Sequence, residues 1–389
     1  MRCADIDMPQ GPGGASPHSA ASRSHEAPAA VGILPDRRRL AMRVALASGV
    51  VAAAALAVTS LPGLHDVRTR LSDAAPGWLV LAMVLEIASC LACVVVFRGV
   101  FCRRLPWRLS YEVAIAAQGT NVLLPSGGAG GLAVAAWALR RTGMPAERIG
   151  RRTVAFYLLT SVVNFATAAL AGALLALGVL AGGGSLAFTA GPAAGAALVI
   201  AIVLLLPRVL SSKPGSRPRI GRTGRIGRTG RVGRALTWLR GALTGGVHDA
   251  ILLVRSGNPQ IIGGAIGYMA FDVAALAATF AAIGHVPPVG VLLLAYVVGQ
   301  LGNLIPLPGG VGGADGSLIA ALVLYGTPLG GAAAAVLAYR AFQLGLPALL
   351  GGLAVLRLPG VVERAPDTGA LCSPPRARQA AGLGVAVTA

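Results

Sequence analysis

Gly119-Thr120-Asn121-Val122-Leu123-Leu124-Pro125-Ser126-Gly127-Gly128-Ala129-Gly130-Gly131 reads almost as a copy of Gly302-Asn303-Leu304-Ile305-Pro306-Leu307-Pro308-Gly309-Gly310-Val311-Gly312-Gly313. The step from the first Gly to the key Pro, Pro125 or Pro308, is the same in both, and glycine pairs follow each Pro. Both runs interrupt long apolar stretches. Both then lead through a further apolar segment to a Gly-x-Pro turn, Gly143-Met144-Pro145 and Gly326-Thr327-Pro328. Glycine breaks also serve plain helix packing. Matched breaks in two halves of an apolar chain point instead to a site between inverted repeats.

Working outward, the chain is apolar enough for a membrane. Mean hydropathy is +0.72 and only 12% of residues are charged. Several runs exceed the roughly 20 residues that cross a bilayer as a helix. The net charge of +19 is almost all arginine, Lys213 being the single lysine, and it is clustered between the apolar runs. Such clusters set topology and touch lipid head groups, so nucleic acid is not an expected partner. The five cysteines suggest no disulfide framework, and the Cys90/Cys93 spacing inside an apolar helix lacks partner ligands for a metal. Residues 1–36 and 358–389 read as disordered tails without a secretory leader, and no soluble stretch is long enough for a catalytic domain.

Apolar spans are expected near 41–61, 77–101, 112–139, 153–180, 187–207, 259–283, 289–306, 312–325 and 331–357. Basic clusters place the loops. Arg37–Arg39, then Arg98, Arg103, Arg104 and Arg108, then Arg140, Arg141, Arg148, Arg151 and Arg152 all call for the cytoplasmic side. Both ends of 112–139 therefore want the same side, and Pro125 with its glycines breaks the middle. A helix hairpin that dips in and returns satisfies both facts, with the break facing protein and not lipid. A second hairpin, 289–325, enters from outside. The fold class expected is an all-α polytopic membrane bundle of two inverted repeats, about 41–181 and 186–357, each with a re-entrant hairpin. Both termini are cytoplasmic in a plasma-membrane protein. Loop 208–258 is expected to be basic and disordered. Its arginines at every third position from Arg219 to Arg234 suit anionic head groups or a plain topological anchor.

Charges at membrane depth are functional candidates by default. Glu86 and Asp272 occupy similar places in the helices before the two hairpins, as proton-coupling groups, head-group partners or members of an ion pair with Arg340. Glu112 is expected near the inner surface and solvated. Asp315 opens a helix, either as its cap or as a ligand carboxylate. Glycine runs let backbone approach a ligand. The substrate-binding set is therefore Pro125, Gly127, Gly128, Gly130, Gly131, Asn303, Pro308, Gly309, Gly310, Gly312, Gly313, Asp315 and Arg340, with Arg140 and Arg152 at the inner mouth. Arg140 and Arg152 serve equally as topological anchors. Gln118, Asn121, Gln300 and Gln343 lie near the breaks, lining a cavity or bonding between helices.

Motifs for a P-loop, a zinc protease or a nucleophile elbow are missing, so neither an enzyme nor a bound cofactor or metal is expected. The runs at Pro125–Gly131 and Pro308–Asp315, with Tyr339-Arg340 followed by Pro347 and Gly351, resemble the lysylphosphatidylglycerol synthase transmembrane family, also called flippase-like. The resemblance covers about 41–357 and implies movement of phospholipids or related lipids between leaflets. Full synthases of that family add a soluble aminoacyltransferase domain that this chain lacks, so that activity is not carried over. The family often has Glu where Asp315 stands. The first expectation is a translocator of phospholipid or lipid-linked molecules. The alternatives are a non-transporting component that scaffolds or regulates envelope lipid metabolism, and an ion-coupled solute transporter. Self-association is left open.

Overall fold

A computed structural model describes residues 65–124, 128–180, 186–211, 231–302 and 313–372. Every regular element among them is helical: α1 His65–Ser72, α2 Pro76–Phe101, α3 Trp107–Leu123, α4 Ala129–Arg141, α5 Ala146–Ala176, α6 Leu186–Ser211, α7 Arg231–Arg255, α8 Pro259–Ala282, α9 Val289–Gly302, α10 Gly313–Leu324, α11 Leu329–Glu363 and α12 Thr368–Leu371. Four of them, α2, α5, α8 and α11, are long and apolar enough to cross a membrane. Their outward faces carry large apolar side chains such as Trp78, Leu81, Val84, Leu349 and Leu353, which water would disfavour and acyl chains accept.

The stretch 112–139 falls on two helices, as the expected break at Pro125 requires. α3 has 17 residues and α4 has 13; α9 has 14 and α10 has 12. At about 1.5 Å per residue each is roughly 18–26 Å long, short of a hydrocarbon core of about 30 Å. α3 packs on α4, and α9 on α10. The breaks between them, 125–127 and 303–312, lie outside the described residues.

The two Gly-x-Pro turns have one geometry. Gly143 has φ +89° and Gly326 φ +91°. Met144 N donates to Leu139 O and Gly143 N to Arg140 O; Thr327 N donates to Leu322 O and Gly326 N to Val323 O. This is the Schellman stop, which needs a left-handed residue just past the helix and so favours glycine. Pro145 and Pro328 then start the next helix, where the missing N–H is not needed.

The bundle is organised around α2 and α8, which run antiparallel along their whole length. Ala75 N donates to Ala282 O (2.8 Å), Ser89 Oγ donates to Tyr268 O (3.0 Å), and Gly99 lies against Ile261. A methyl carbon on Gly264 would meet Val96 Cγ2 at 2.8 Å, so the missing side chain sets how close these helices come. α3 packs along α11 and α9 along α5.

At the arginine-rich end, Thr368 N donates to Thr142 O (2.7 Å), Arg148 Nη1 donates to Cys372 O (2.6 Å), and Cys372 is disulfide-bonded to Cys102. The chain entering α3 and the chain leaving α4 are thus tied to one segment. At the other end, the start of α2 touches the end of α8, and α1 packs on α11 near Gly331.

Four expectations are corrected. The stretch 208–258 is not wholly disordered: α6 runs to Ser211, and α7 is a helix seated on α5 through Gly245 and Gly246. The tail begins later than 358, because α11 continues to Glu363 and Asp367 caps α12 through Gly369 N (2.8 Å) and Ala370 N (3.3 Å). Glu112 is buried, 5% exposed, where α3 packs on α11. Finally, Cys102 and Cys372 are bonded across 270 residues. Maleimide is expected to leave Cys102 and Cys372 unmodified until a reductant is added. Cys90 and Cys93, both buried thiols, should react only after denaturation. Mass spectrometry of the labelled peptides checks this, and modification of Cys372 before reduction contradicts it.

Candidate functional site

Among apolar helices a carboxylate is tolerated only with donors around it. Asp272, 3% exposed in the middle of α8, has three. Tyr296 of α9 donates its hydroxyl to Oδ2 at 2.5 Å, Tyr339 of α11 donates to Oδ1 at 2.7 Å, and Gln343 Nε2 reaches Oδ2 at 3.3 Å. Glu86 of α2, 4% exposed, lies close enough to Asp272 for the two carboxyl groups to interact. Two carboxyl groups so close repel unless a proton lies between them.

The chain of contacts continues along α11. Gln343 sits one turn after Tyr339, so both point to the same side, and its Nε2 also donates to the Tyr339 hydroxyl at 2.5 Å. Its Oε1 accepts from Arg340 Nη1 at 2.5 Å. The Arg340 guanidinium then forms an ion pair with Asp315. Asp315 lies in the first turn of α10, where the helix dipole favours an acid. The side chains of Arg340 and Asp315 are 14% and 20% exposed, so this end of the network opens slightly while Asp272 stays closed.

The result is one polar thread, Glu86–Asp272–Gln343–Arg340–Asp315, tying α2, α8, α9, α10 and α11 together. Asp315 follows 303–312 along the chain; that stretch, with Asn303, Pro308, Gly309, Gly310 and Gly312, lies outside the described residues. Chemically the thread offers one fixed cation for an anionic group. It also offers carboxyl and phenol groups able to hold a proton.

A sequence model of the lysylphosphatidylglycerol synthase TM region matches residues 43–351. The chain belongs to that family. No curated protein matches the chain.

In this member of the lysylphosphatidylglycerol synthase TM family, four of the charges singled out by sequence, Glu86, Asp272, Asp315 and Arg340, meet in one network. The glycines of the first break do something else. Gly131 N donates to Asn121 Oδ1 at 2.7 Å, and its bare Cα lets α4 lie against the Ala117 carbonyl of α3. Gly128 precedes α4 with φ +88°. Gly313 lies against Gly302, so α9 and α10 touch at their glycines. Pro125 and Gly127 lie outside the described residues. Arg140 is exposed in the last turn of α4. Arg152 donates to Val100 O (3.0 Å) and lies 3.6 Å from Asp249, at the arginine-rich end. Neither contact joins the thread. Tyr296 and Tyr339 escaped the sequence reading as donors. The available signal was a phenol inside a mainly apolar run.

Proposed function

We propose that the chain moves lipids, phospholipids or lipid-linked molecules, between the leaflets of the plasma membrane. Two inverted repeats surround the polar thread. The observation that carries the reading is the Arg340–Asp315 pair, half-buried among apolar helices where α10 begins and linked to Asp272. A lipid phosphate that reaches Arg340 competes with Asp315 for the same guanidinium. That exchange lets a head group enter without leaving a bare charge in the membrane.

Several features support the repeat architecture. The two Gly-x-Pro turns share one hydrogen-bond pattern. Packing partners exchange between halves: α3 lies on α11 as α9 lies on α5, and the corresponding α2 and α8 cross each other antiparallel. α3 and α4 are each too short to span, and the chain segments entering and leaving the pair are tied together at the arginine-rich end. This suits a hairpin entering from that side, which the positive-inside bias makes cytoplasmic.

The test is transport by the full chain reconstituted in phospholipid vesicles with a fluorescent head-group-labelled lipid. Labelled lipid of the inner leaflet should become quenchable by added dithionite, while protein-free vesicles keep their protected fraction. Equal protection with and without folded protein rejects the proposal.

A further inference from the structure

A cavity of about 500 Å³ lies at the arginine-rich end, between the last turn of α2, the first turns of α5, the junction of α7 and α8, and the segment at Cys372. Among the described residues, four arginines line it, Arg103, Arg104, Arg148 and Arg152, and no carboxylate does. The acids beside it are Asp249 of α7, already engaged by Arg151 at 2.7 Å and lying 3.6 Å from Arg152, and Glu147 in the first turn of α5, which acts on Arg151. Among the described residues, two acids therefore stand against five cations.

The two inner arginines are held in place by backbone. Arg148 Nη1 donates to Cys372 O (2.6 Å) and Arg152 Nη1 to Val100 O (3.0 Å). Each such bond uses one of five guanidinium donors and neutralises no charge. Arg103 and Arg104 are exposed at the rim. Asn258 and Pro259 put the N-terminal end of α8, a 24-residue helix, into the same cavity, and its dipole adds to the positive field. Like charges gathered this way repel one another, and the fold gains little by it unless an anion joins them. Apolar wall comes from Val100, Phe101 and Leu253. Close by, Arg98 stacks over the half-exposed ring of Trp107 (4.3 Å to its centroid), an arrangement suited to the water–membrane boundary.

We propose that this cavity binds a phosphate-bearing anion, gripped by Arg148 and Arg152 with Arg103 and Arg104 closing the rim. Planar guanidinium groups match the oxygens of phosphate in pairs, which sets phosphate above a simple halide as the occupant. The site is separate from the Arg340–Asp315 pair, and it stands whether or not the chain moves lipid.

Binding is measured by calorimetry on the full chain in neutral detergent, with inorganic phosphate and with short-chain phosphatidylglycerol as probes. Saturable binding of at least one probe is expected. It should weaken at least tenfold in Arg148→Gln/Arg152→Gln and severalfold in Arg103→Gln/Arg104→Gln. The second pair is exposed, so its effect does not reflect misfolding. Arg141→Gln, an exposed arginine outside the cavity, should leave it unchanged. Binding of phosphatidylglycerol without inorganic phosphate makes the occupant a lipid head group; binding of both makes it free phosphate as well. No saturable binding of either probe overturns the proposal. So does a loss in Arg141→Gln equal to that in the cavity variants.

Discussion

Arg340→Ala and Asp315→Ala each abolish lipid movement in vesicles and destabilise the fold by about 2–3 kcal/mol. The double variant Arg340→Met/Asp315→Leu restores the stability and not the movement. The energetic part follows from burial. Breaking a buried pair strands one charge, at about 3–5 kcal/mol, while replacing both partners by apolar groups is close to neutral. The lower figure applies here because the two side chains are 14% and 20% exposed and water can reach the survivor. Arg340→Ala also frees Gln343 Oε1 and so loosens a donor to Asp272. The functional part rests on exchange. Met and Leu fill the space but offer an incoming phosphate nothing, so the double variant separates a structural pair from a transporting one. Thermal unfolding in detergent reads the first effect and dithionite quenching the second. Wild-type movement in the double variant would falsify the role given to Arg340.

How this pair came to be legible in the sequence has a physical reason. A charge inside an apolar run has few places to go. Glu86, Asp272, Asp315 and Arg340 stand out by hydropathy alone, and the same desolvation that makes them conspicuous forces them toward each other. The long helices α2, α5, α8 and α11 were legible likewise, because a run of about 20 apolar residues has one common use. The division of 112–139 into α3 and α4 was half legible: Pro and Gly mark a break, and only packing says that each side is a helix of its own.

What stayed hidden depends on neighbours far along the chain. Cys102 and Cys372 are 270 residues apart, and nothing in their surroundings records that they meet. Tyr296 and Tyr339 look like ordinary apolar bulk until Asp272 is placed between their hydroxyls. α7 was lost in the basic stretch before it. Arginine at every third residue up to Arg234 reads as unpaired surface, and the helix is held by tertiary contact. Val154 would lie 2.5 Å from a methyl carbon on Gly246, so α5 and α7 meet nearly backbone to backbone. The same blindness applies to the basic cavity. Arg103, Arg104 and Arg148 were read as topological markers, and Arg152 as that or as a charge at the inner mouth; only the fold shows that one cavity collects them.

Gly351→Ala and Gly119→Ala each lower stability by about 2 kcal/mol, whereas Gly345→Ala on the same helix as Gly351 raises it. Helix propensity alone predicts the reverse for the first two, since Ala in a helix is favoured over Gly by about 1 kcal/mol. Space decides the sign. A methyl carbon on Gly119 would lie 2.5 Å from the Gly351 Cα and 2.5 Å from the Pro347 carbonyl oxygen. One on Gly351 would lie 2.7 Å from Gly119 N and from Ile115 O. These neighbours are backbone, which no change of rotamer can move aside, so α3 and α11 must separate. Overpacking of that kind costs about 1–3 kcal/mol and occasionally more, enough to reverse the propensity gain. At Gly345 nothing lies within 4 Å, so the propensity gain stands alone. Separation also has a reach beyond stability. α11 carries Tyr339, Arg340 and Gln343 within about three and a half turns of Gly351, so moving it off α3 shifts the cation relative to Asp315 on α10. Lipid movement should therefore fall in Gly351→Ala and hold in Gly345→Ala at a temperature where both are folded. Thermal unfolding of the three variants is the direct check. A Gly351→Ala variant that melts at or above the parent means that the two helices do not cross at these glycines, and the seating of α11 that positions Arg340 would then need another cause.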